Sequence, residues 1–255
     1  MTVKDQARRQ LAATMRRLLH AASRRYPLGS QEAILVVAPH ADDEVLGTAG
    51  LISAHVARGA SVRIAVLTDN SHSHPGHPHF SPAQIGRRRQ QETLAAALAL
   101  GLPASAVHFL HAPDGQLDRL APNTRAALLA DLARLLREFR PTRVFVPYLG
   151  DGSTEHDAAH WHVRTALARS GLSPALWEYP VWAWWNPLRL ARQLVRPQEN
   201  YILELGPALP FKHRALACHA TQLHPLPPWP HPALPPVLAE LCTSPLEFLF
   251  RRPHP

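Results

Sequence analysis

A short apolar run that ends in a cluster of ionisable side chains constrains this sequence most. Residues 33–38 are all aliphatic, and His40, Asp42, Asp43 and Glu44 follow almost at once. This pattern is typical of a buried strand that delivers polar groups to the carboxyl edge of an open α/β sheet. Three neighbouring carboxylates repel one another unless a cation or a shared proton compensates them. The simplest explanation is a divalent metal held by His40 and Asp43, with Asp42 left free to carry a proton.

Strand-like and helix-like segments alternate along most of the chain. Their periodicity predicts further strands at 62–67, 107–110, 143–146 and 176–181. Between the strands it predicts helices over 44–58, 82–100, 123–139 and 157–168, the third of them capped by Asn123. The sequence therefore predicts an α/β, Rossmann-like fold, in which a mostly parallel sheet has helices on both faces and the C-terminal subregion is irregular and Pro-rich.

We expect three regions along the chain. Residues 1–30 contain a basic amphipathic helix, residues 31–222 form the α/β domain, and residues 223–255 form a Pro-rich extension that begins with an extended surface segment. The N-terminal helix has one apolar face and many arginines. It therefore either docks on its own domain or lies on a membrane surface.

Composition narrows the class of protein. A hydrophobic content of 46% with 18% charged residues is ordinary for a globular protein with a sizeable core. We find no bilayer-spanning apolar run and no signal peptide, which favours a cytoplasmic location, with peripheral membrane contact through the N-terminal helix as a second option. The net charge of +8 comes from scattered arginines rather than a basic stretch interleaved with aromatics, so we expect no nucleic-acid binding. Cys218 and Cys242 are far apart, which indicates reduced thiols.

A second polar cluster, residues 151–162, follows the predicted strand at 143–146. It contains His156 and His160, which share a helix face because they are four residues apart. The carboxyl ends of parallel strands lie at one edge of a sheet, so this cluster can meet His40 and Asp43. Two imidazoles and a carboxylate leave one coordination position open, as in a catalytic zinc site. Fe²⁺ or Co²⁺ would suit the same donors.

Residues 38–44, Ala-Pro-His-Ala-Asp-Asp-Glu, resemble the signature of the PIG-L/LmbE family of zinc-dependent deacetylases. The resemblance covers about Ile34 to Gln222. It implies a zinc-dependent hydrolase that removes the N-acetyl group from an N-acetylglucosamine-type sugar in a glycoconjugate or glycolipid precursor. The other matching stretches follow in order along the chain: Arg89 to Glu92 with Leu100 and Gly101, Leu110 to Gly115, and Lys212, Ala215, Leu216, His219 and Gln222.

The family pattern, carried onto this sequence, implies a role for each residue of the two clusters. It makes His40, Asp43 and His156 the zinc ligands and Asp42 the general base that takes a proton from zinc-activated water. An alternative alignment would make His160 a ligand in place of His156.

Ser153 departs from the family, because relatives have a histidine there that stabilises the oxyanion. A serine donates one hydrogen bond but carries no positive charge. We expect His160 to supply part of this stabilisation, with His162 or a histidine of the 71–81 loop as alternatives.

Arg89, Asp69, Asn70 and His219 are candidates for binding the substrate. Each also has a structural interpretation: pairing of Arg89 with Glu92, turn formation by Asp69 and Asn70, and helix-end packing by His219. The expected partner is a small N-acetyl sugar or glycoconjugate. The alternatives are an amidase for a larger sugar or thiol conjugate and a non-catalytic sugar-binding relative, which the serine at position 153 suggests.

Overall fold

A single eight-stranded sheet organises the computed structural model, which describes residues 2–252. In the described chain the spatial order is β1-β7-β8-β6-β5-β2-β3-β4. Neighbouring strands are parallel except where β8 pairs with β6 and β7. The strands are β1 (Arg24–Arg25), β2 (Ala33–Ala38), β3 (Ser61–Thr68), β4 (Val107–Ala112), β5 (Arg143–Pro147), β6 (Ala175–Tyr179), β7 (Asn200–Glu204) and β8 (Leu246–Arg252).

The α-helices between the strands cover the two faces of this sheet. Side chains of β2 alternate between them, so Ile34 and Val36 lie in one core while Leu35 and Val37 lie in the other. The predicted α/β architecture is confirmed. The helices are α1 (Val3–Ala21), α2 (Asp43–Val56), α3 (Pro82–Ala99), α4 (Pro122–Phe139), α5 (Thr154–Ser170), α6 (Ala191–Leu194), α7 (Leu209–Ala217), α8 (Ala220–Leu223) and α9 (Pro236–Cys242).

The order of strands creates a crevice at the carboxyl ends of β2 and β5. From β2 the chain moves outward to β3 and β4, and then returns to the other side of β2 as β5. Ligands bind at such switch points in open α/β sheets because the connections diverge there.

Some element boundaries differ from the prediction for local reasons. Helix α5 begins at Thr154, before the predicted residue 157, because Ser153 acts as its N-cap. The prediction that Asn123 caps α4 is wrong, since Pro122 occupies the first turn and Ala121 is the N-cap. Helix α1 ends at Ala21, and the two arginines after it form β1.

The C-terminal region differs most from expectation. Residues 224–235 are irregular, as predicted, but α9 and β8 follow them. Strand β8 lies between β6 and β7, so residues beyond 222 contribute to the main sheet. Neither β7 nor β8 is predicted from the sequence, because their pairing joins distant parts of the chain. No helix in residues 2–252 has the length and apolar character needed to cross a membrane.

Candidate active site

Both polar clusters lie at the crevice between β2 and β5, on turns that hydrogen bonds hold in place. The turn after β2 is fixed by Asn70, whose Oδ1 accepts from the Ala41 amide at 2.6 Å. The backbone of Asp42 has φ +120°, in the region that favours glycine, and its side chain lines the cavity without capping the helix that follows. Asn70 is fully buried, and Asp69 accepts from the Ser71 amide at 3.0 Å. Asn70 Nδ2 donates to the Thr68 carbonyl and Asp69 Oδ1 also accepts from the Asp114 amide at 3.3 Å, so both side chains hold turns in place and link them to one another.

Three potential metal ligands converge at this turn. The atoms His40 Nδ1 and His156 Nε2 lie 3.2 and 3.3 Å from Asp43 Oδ2. All three ligand atoms lie within 4.8 Å of one another. His156 Nε2 is buried and has no hydrogen-bond partner among the described residues, which is the condition of an atom reserved for a ligand. Two imidazole nitrogens and a carboxylate oxygen fit a catalytic divalent metal.

The opposite nitrogen of His40 is held by two other carboxylates. Nε2 donates to Glu155 Oε2 at 2.8 Å and lies 3.4 Å from Asp114 Oδ1. His40, Asp114 and Glu155 could themselves surround an ion. However, Glu155 Oε1 already accepts from the Leu117 amide and Asp114 Oδ2 from the His72 amide. We therefore assign them to orienting the imidazole, as carboxylates commonly do behind a metal-binding histidine.

Asp151 orients the other imidazole. His156 Nδ1 donates to Asp151 Oδ2 at 2.7 Å. The same carboxylate accepts from the backbone amides of Val181, Trp182 and Ala183 at 2.8–2.9 Å. This buried group therefore joins the start of α5 to the turn after β6 and leaves His156 Nε2 facing Asp43. The sequence shows an acid four residues after β5, but it does not show its role, because the amides that Asp151 accepts from lie 30–32 positions away.

The electrostatics of the cluster favour a cation. Burial opposes ionisation of Asp43, yet the charge of His156 and the close approach of both imidazoles hold the pKa of its carboxyl well below its usual range. Burial also opposes a charge on His156, but Asp43 and Asp151 raise the pKa of this imidazole to about 10. The same negative potential that retains a proton there would attract a metal ion.

Asp42 lies beside the three donors without joining them. It is 6% exposed, and burial raises the pKa of its carboxyl to about 7, while the guanidinium of Arg89 opposes that rise. Arg89 Nη2 lies 3.7 Å from Asp42 Oδ1 and donates to the Ala41 carbonyl at 2.6 Å. Glu92, the partner expected for Arg89, instead accepts from the Thr221 amide at 2.8 Å. Arg89 thus belongs to the site.

His160 does not lie at the cavity. Its Nε2 is 2.8 Å from Glu178 Oε1 in the protein interior, because four residues along α5 move it about 6 Å from His156. His162 Nε2 donates to the Leu117 carbonyl at 2.9 Å. The placement therefore argues against the expected catalytic role of His160 and against its alternative role as a metal ligand.

The other expected site residues differ in whether they reach the cavity. Ser153 lines the cavity, and its hydroxyl accepts from the His156 amide at 3.5 Å. His219 is fully buried behind the site, with Nε2 3.5 Å from Glu44 Oε1. In the 71–81 loop, the rings of His74 and His77 pack against Trp229 rather than at the donor cluster.

An open cavity of about 530 Å³ gives access to the cluster. Its walls combine the polar groups described above with apolar side chains from α2, the turn after β6 and the Pro-rich segment. The apolar wall is formed by Leu46, Trp182 and Leu234, and the rim includes Gly115, Gly152 and Gln222. A cavity of this size accommodates a small organic ligand.

Solved structures with the same fold include hydrolases and a hydratase. N,N'-diacetylchitobiose deacetylase from Pyrococcus horikoshii has a TM-score of 0.59 and 20% identity over 86% of this chain and 79% of that chain. The 4-carboxy-2-hydroxymuconate hydratase GalB from Pseudomonas putida KT2440 has a TM-score of 0.63 and 20% identity over 83% of each chain. At this identity the likeness establishes the fold alone, since one fold can serve different reactions.

Comparison with sequence relatives identifies the family, which the fold alone does not. The 1D-myo-inositol 2-acetamido-2-deoxy-alpha-D-glucopyranoside deacetylases of Mycobacterium sp. strains KMS and JLS are each 34% identical over 170 residues, which cover 59% of this chain and 53% of the relative. The chain therefore spans about half the length of these curated relatives. The PIG-L model, described as GlcNAc-PI de-N-acetylase, matches residues 35–167, a range that includes all three converging donors. The chain belongs to the PIG-L family.

Proposed function

We propose that this protein is a zinc-dependent hydrolase that removes the N-acetyl group from an N-acetylated amino sugar within a glycoconjugate. Membership of the PIG-L family and the deacetylase relatives support the reaction class. The convergence of His40, Asp43 and His156 beside an uncommitted buried carboxylate is the observation that carries the proposal. A cytoplasmic location, zinc as the metal and the sugar as the substrate are parts of it.

Different residues of the site have different roles in the proposed reaction. His40, Asp43 and His156 would hold the metal, which when bound polarises the acetyl carbonyl and makes a water acidic. Asp42 would take a proton from the attacking water and pass it to the departing amine nitrogen. Burial raises the pKa of its carboxyl above the usual range, which favours a group that both accepts and releases a proton near neutral pH. The Ser153 hydroxyl, whose oxygen accepts from a backbone amide, can donate its own proton toward the oxyanion.

The direct test pairs elemental analysis with acetate release. We expect the purified protein to contain one equivalent of divalent metal and to release acetate from N-acetylglucosamine conjugates. Asp42→Asn should lower kcat by roughly 10²–10⁴ and keep the metal, because it removes proton transfer alone. Asp43→Asn should lose the metal as well. Metal-free wild-type protein, or unchanged turnover in Asp42→Asn, would contradict the proposal.

A larger amide substrate is the second candidate. The cavity of about 530 Å³ lies within the range that holds drug-sized ligands, so it is not restricted to a single small sugar. Faster cleavage of bulky amides than of N-acetyl groups would favour an amidase for larger sugar or thiol conjugates. Sugar binding without acetate release from the metal-loaded protein would instead indicate a non-catalytic relative.

A further inference from the structure

Helix α1 has a second apolar face that no part of the described chain covers. Its inward face buries Ala12, Met15 and Leu19 in the core that also contains Ile34 and Val36. On the opposite side an exposed stripe recurs at intervals of three or four residues. Val3, Leu11 and Leu18 in this stripe are 85%, 36% and 48% exposed. Its remaining members are Ala7, Thr14 and Ala21, which are also exposed.

Cations flank this stripe, and one of them, Arg25, lies 3.5 Å from the exposed carboxylate of Glu204. Lys4 and Arg17 border it on the helix, and Arg24 and Arg25 follow the helix end. Asp5 is the one carboxylate in residues 2–25, and its side chain is engaged in the capping box with Thr2.

A neighbouring segment, residues 186–198, extends the same kind of surface. It packs against α1 and exposes Leu188 and Val195 by 62% and 78%. It contains three arginines and no acidic residue: Arg189, Arg192 and Arg196. Together the two segments supply five of the eight large apolar side chains that are exposed in residues 2–252. We call the outward face of α1, Arg24 and Arg25, together with residues 186–198, the basic surface.

The basic surface reaches the rim of the catalytic cavity. A Cβ atom built on Gly152, which lines the cavity, would lie 3.0 Å from Arg189 Nε. A Cβ on Gly150 would lie 3.4 Å from Arg192 Nη2. The part of the basic surface formed by residues 186–198 therefore borders the cavity.

We propose that the basic surface docks on an anionic phospholipid bilayer. An aliphatic stripe flanked by Lys and Arg is the pattern of a helix that lies in a membrane interface, and each cation is attracted to acidic headgroups. A symmetric dimer through α1 would bring like charges together, which opposes self-association. Nucleic acid would account for the arginines, but aliphatic side chains offer no surface for stacking bases.

Vesicle co-sedimentation of the full chain tests this proposal. We expect binding to phosphatidylcholine vesicles that contain about one third phosphatidylglycerol, little binding to pure phosphatidylcholine, and release by about 0.5 M salt. The double variant Leu11→Gln/Leu18→Gln should reduce the partition coefficient by about tenfold or more, because it removes the inserted aliphatic groups. Arg24→Gln/Arg25→Gln should reduce it by about fivefold for each charge.

The matched control is Leu98→Gln, which changes a leucine that is 72% exposed on α3, away from this surface. It should bind vesicles like wild type. Circular dichroism and acetate release from a water-soluble substrate should be unchanged in all variants, which separates docking from folding and from catalysis. Equal binding to neutral and anionic vesicles, an equal loss in Leu98→Gln, α1-dependent dimerisation in place of vesicle binding, or binding to duplex DNA or RNA alone would overturn the proposal.

Discussion

At the scale of single residues, the site depends on carboxylates that hold other side chains. Asp151 is not among the residues that line the cavity, yet its carboxylate accepts four hydrogen bonds and sets the orientation of His156. Glu155 and Asp114 do the same for His40. Such partners fix the ring tautomer, so that the nitrogen facing the ion has a free lone pair.

Asp151→Asn should weaken metal binding. The amide cannot accept from His156 and from all three backbone amides at once, so the imidazole loses its fixed orientation. We expect zinc affinity to fall about 10–100-fold, measured by competition with a chromogenic chelator. Asp131→Asn, which changes an exposed acid on α4, serves as the control. Equal zinc affinity in the two variants would show that Asp151 does not position His156.

His55 makes stability depend on pH. It is fully buried, its Nε2 is 3.0 Å from the Tyr26 hydroxyl, and burial together with the charges of Arg143 and Arg58 lowers the pKa of its imidazole to about 4. The folded state therefore keeps His55 neutral, whereas the unfolded state protonates it below about pH 6.5. This contribution is complete above that pH and is lost as the pH falls toward 4.

We expect His55 to reduce the free energy of unfolding by about 3 kcal/mol between about pH 7 and pH 4. Urea denaturation of wild type and His55→Gln across this range measures the difference, since glutamine keeps polar contacts without titrating. His20→Gln, on the exposed surface of α1, should keep the wild-type slope. If His55→Gln has the same pH dependence as wild type, the buried imidazole is not the cause.

At the scale of elements, helix α2 is held in place by close packing against two side chains and by hydrogen bonds to a buried carboxylate. Gly47 lies directly against the Tyr179 ring, and Gly50 lies against Leu205, so larger side chains would clash at both positions. Glu247 of β8 accepts from the Gly50 and Leu51 amides at 2.9 and 2.8 Å. Glycine at these two positions therefore lets a neighbouring side chain approach the helix closely.

Lys212 also stabilises the contact between α2 and Glu247. Its Nζ lies 2.8 Å from Glu247 Oε1 and donates to the Leu46 carbonyl at 3.2 Å, with both charged groups buried. Lys212→Met should lower the free energy of unfolding by about 3 kcal/mol, because it leaves a buried carboxylate without its counterion.

The double variant Lys212→Met/Glu247→Gln should recover part of this loss, since the remaining group is neutral. Lys4→Met makes the same change at an exposed position and should be close to neutral. Urea denaturation curves for the four proteins give the comparison. A loss in Lys212→Met that matches Lys4→Met would show that the buried pair is dispensable.

At the scale of the whole molecule, β8 connects the two parts of the sheet. It is the strand through which β6 is joined to β7, and Phe248, Leu249 and Phe250 are buried on it. Deleting residues 244–255 should abolish cooperative unfolding, because β7 and β1 lose their connection to the rest of the sheet. The full-length chain gives the reference transition. Near-ultraviolet circular dichroism during thermal unfolding distinguishes the two, and a sharp transition in the deletion variant would contradict this role.

Local sequence was sufficient for the centre of the fold and for the three candidate metal ligands. The boundaries of β2, the turn that carries His40, Asp42 and Asp43, and the second cluster at His156 all depend on near neighbours in the chain. A buried strand must be apolar along its length, and its polar groups must come after it. These constraints are visible in a single sequence.

The tertiary structure alone decided the contacts between distant segments. Asp151 and Val181 are 30 positions apart, and Gly50 and Glu247 are 197 apart. The interior position of His160 opposite Glu178 likewise follows from how α5 packs on β6. Hydrophobic periodicity describes which face of an element is buried, but it does not identify the partner on the other side. For this reason the sequence indicated the candidate ligands, whereas folding decided which side chains orient them and which strand connects β6 to β7.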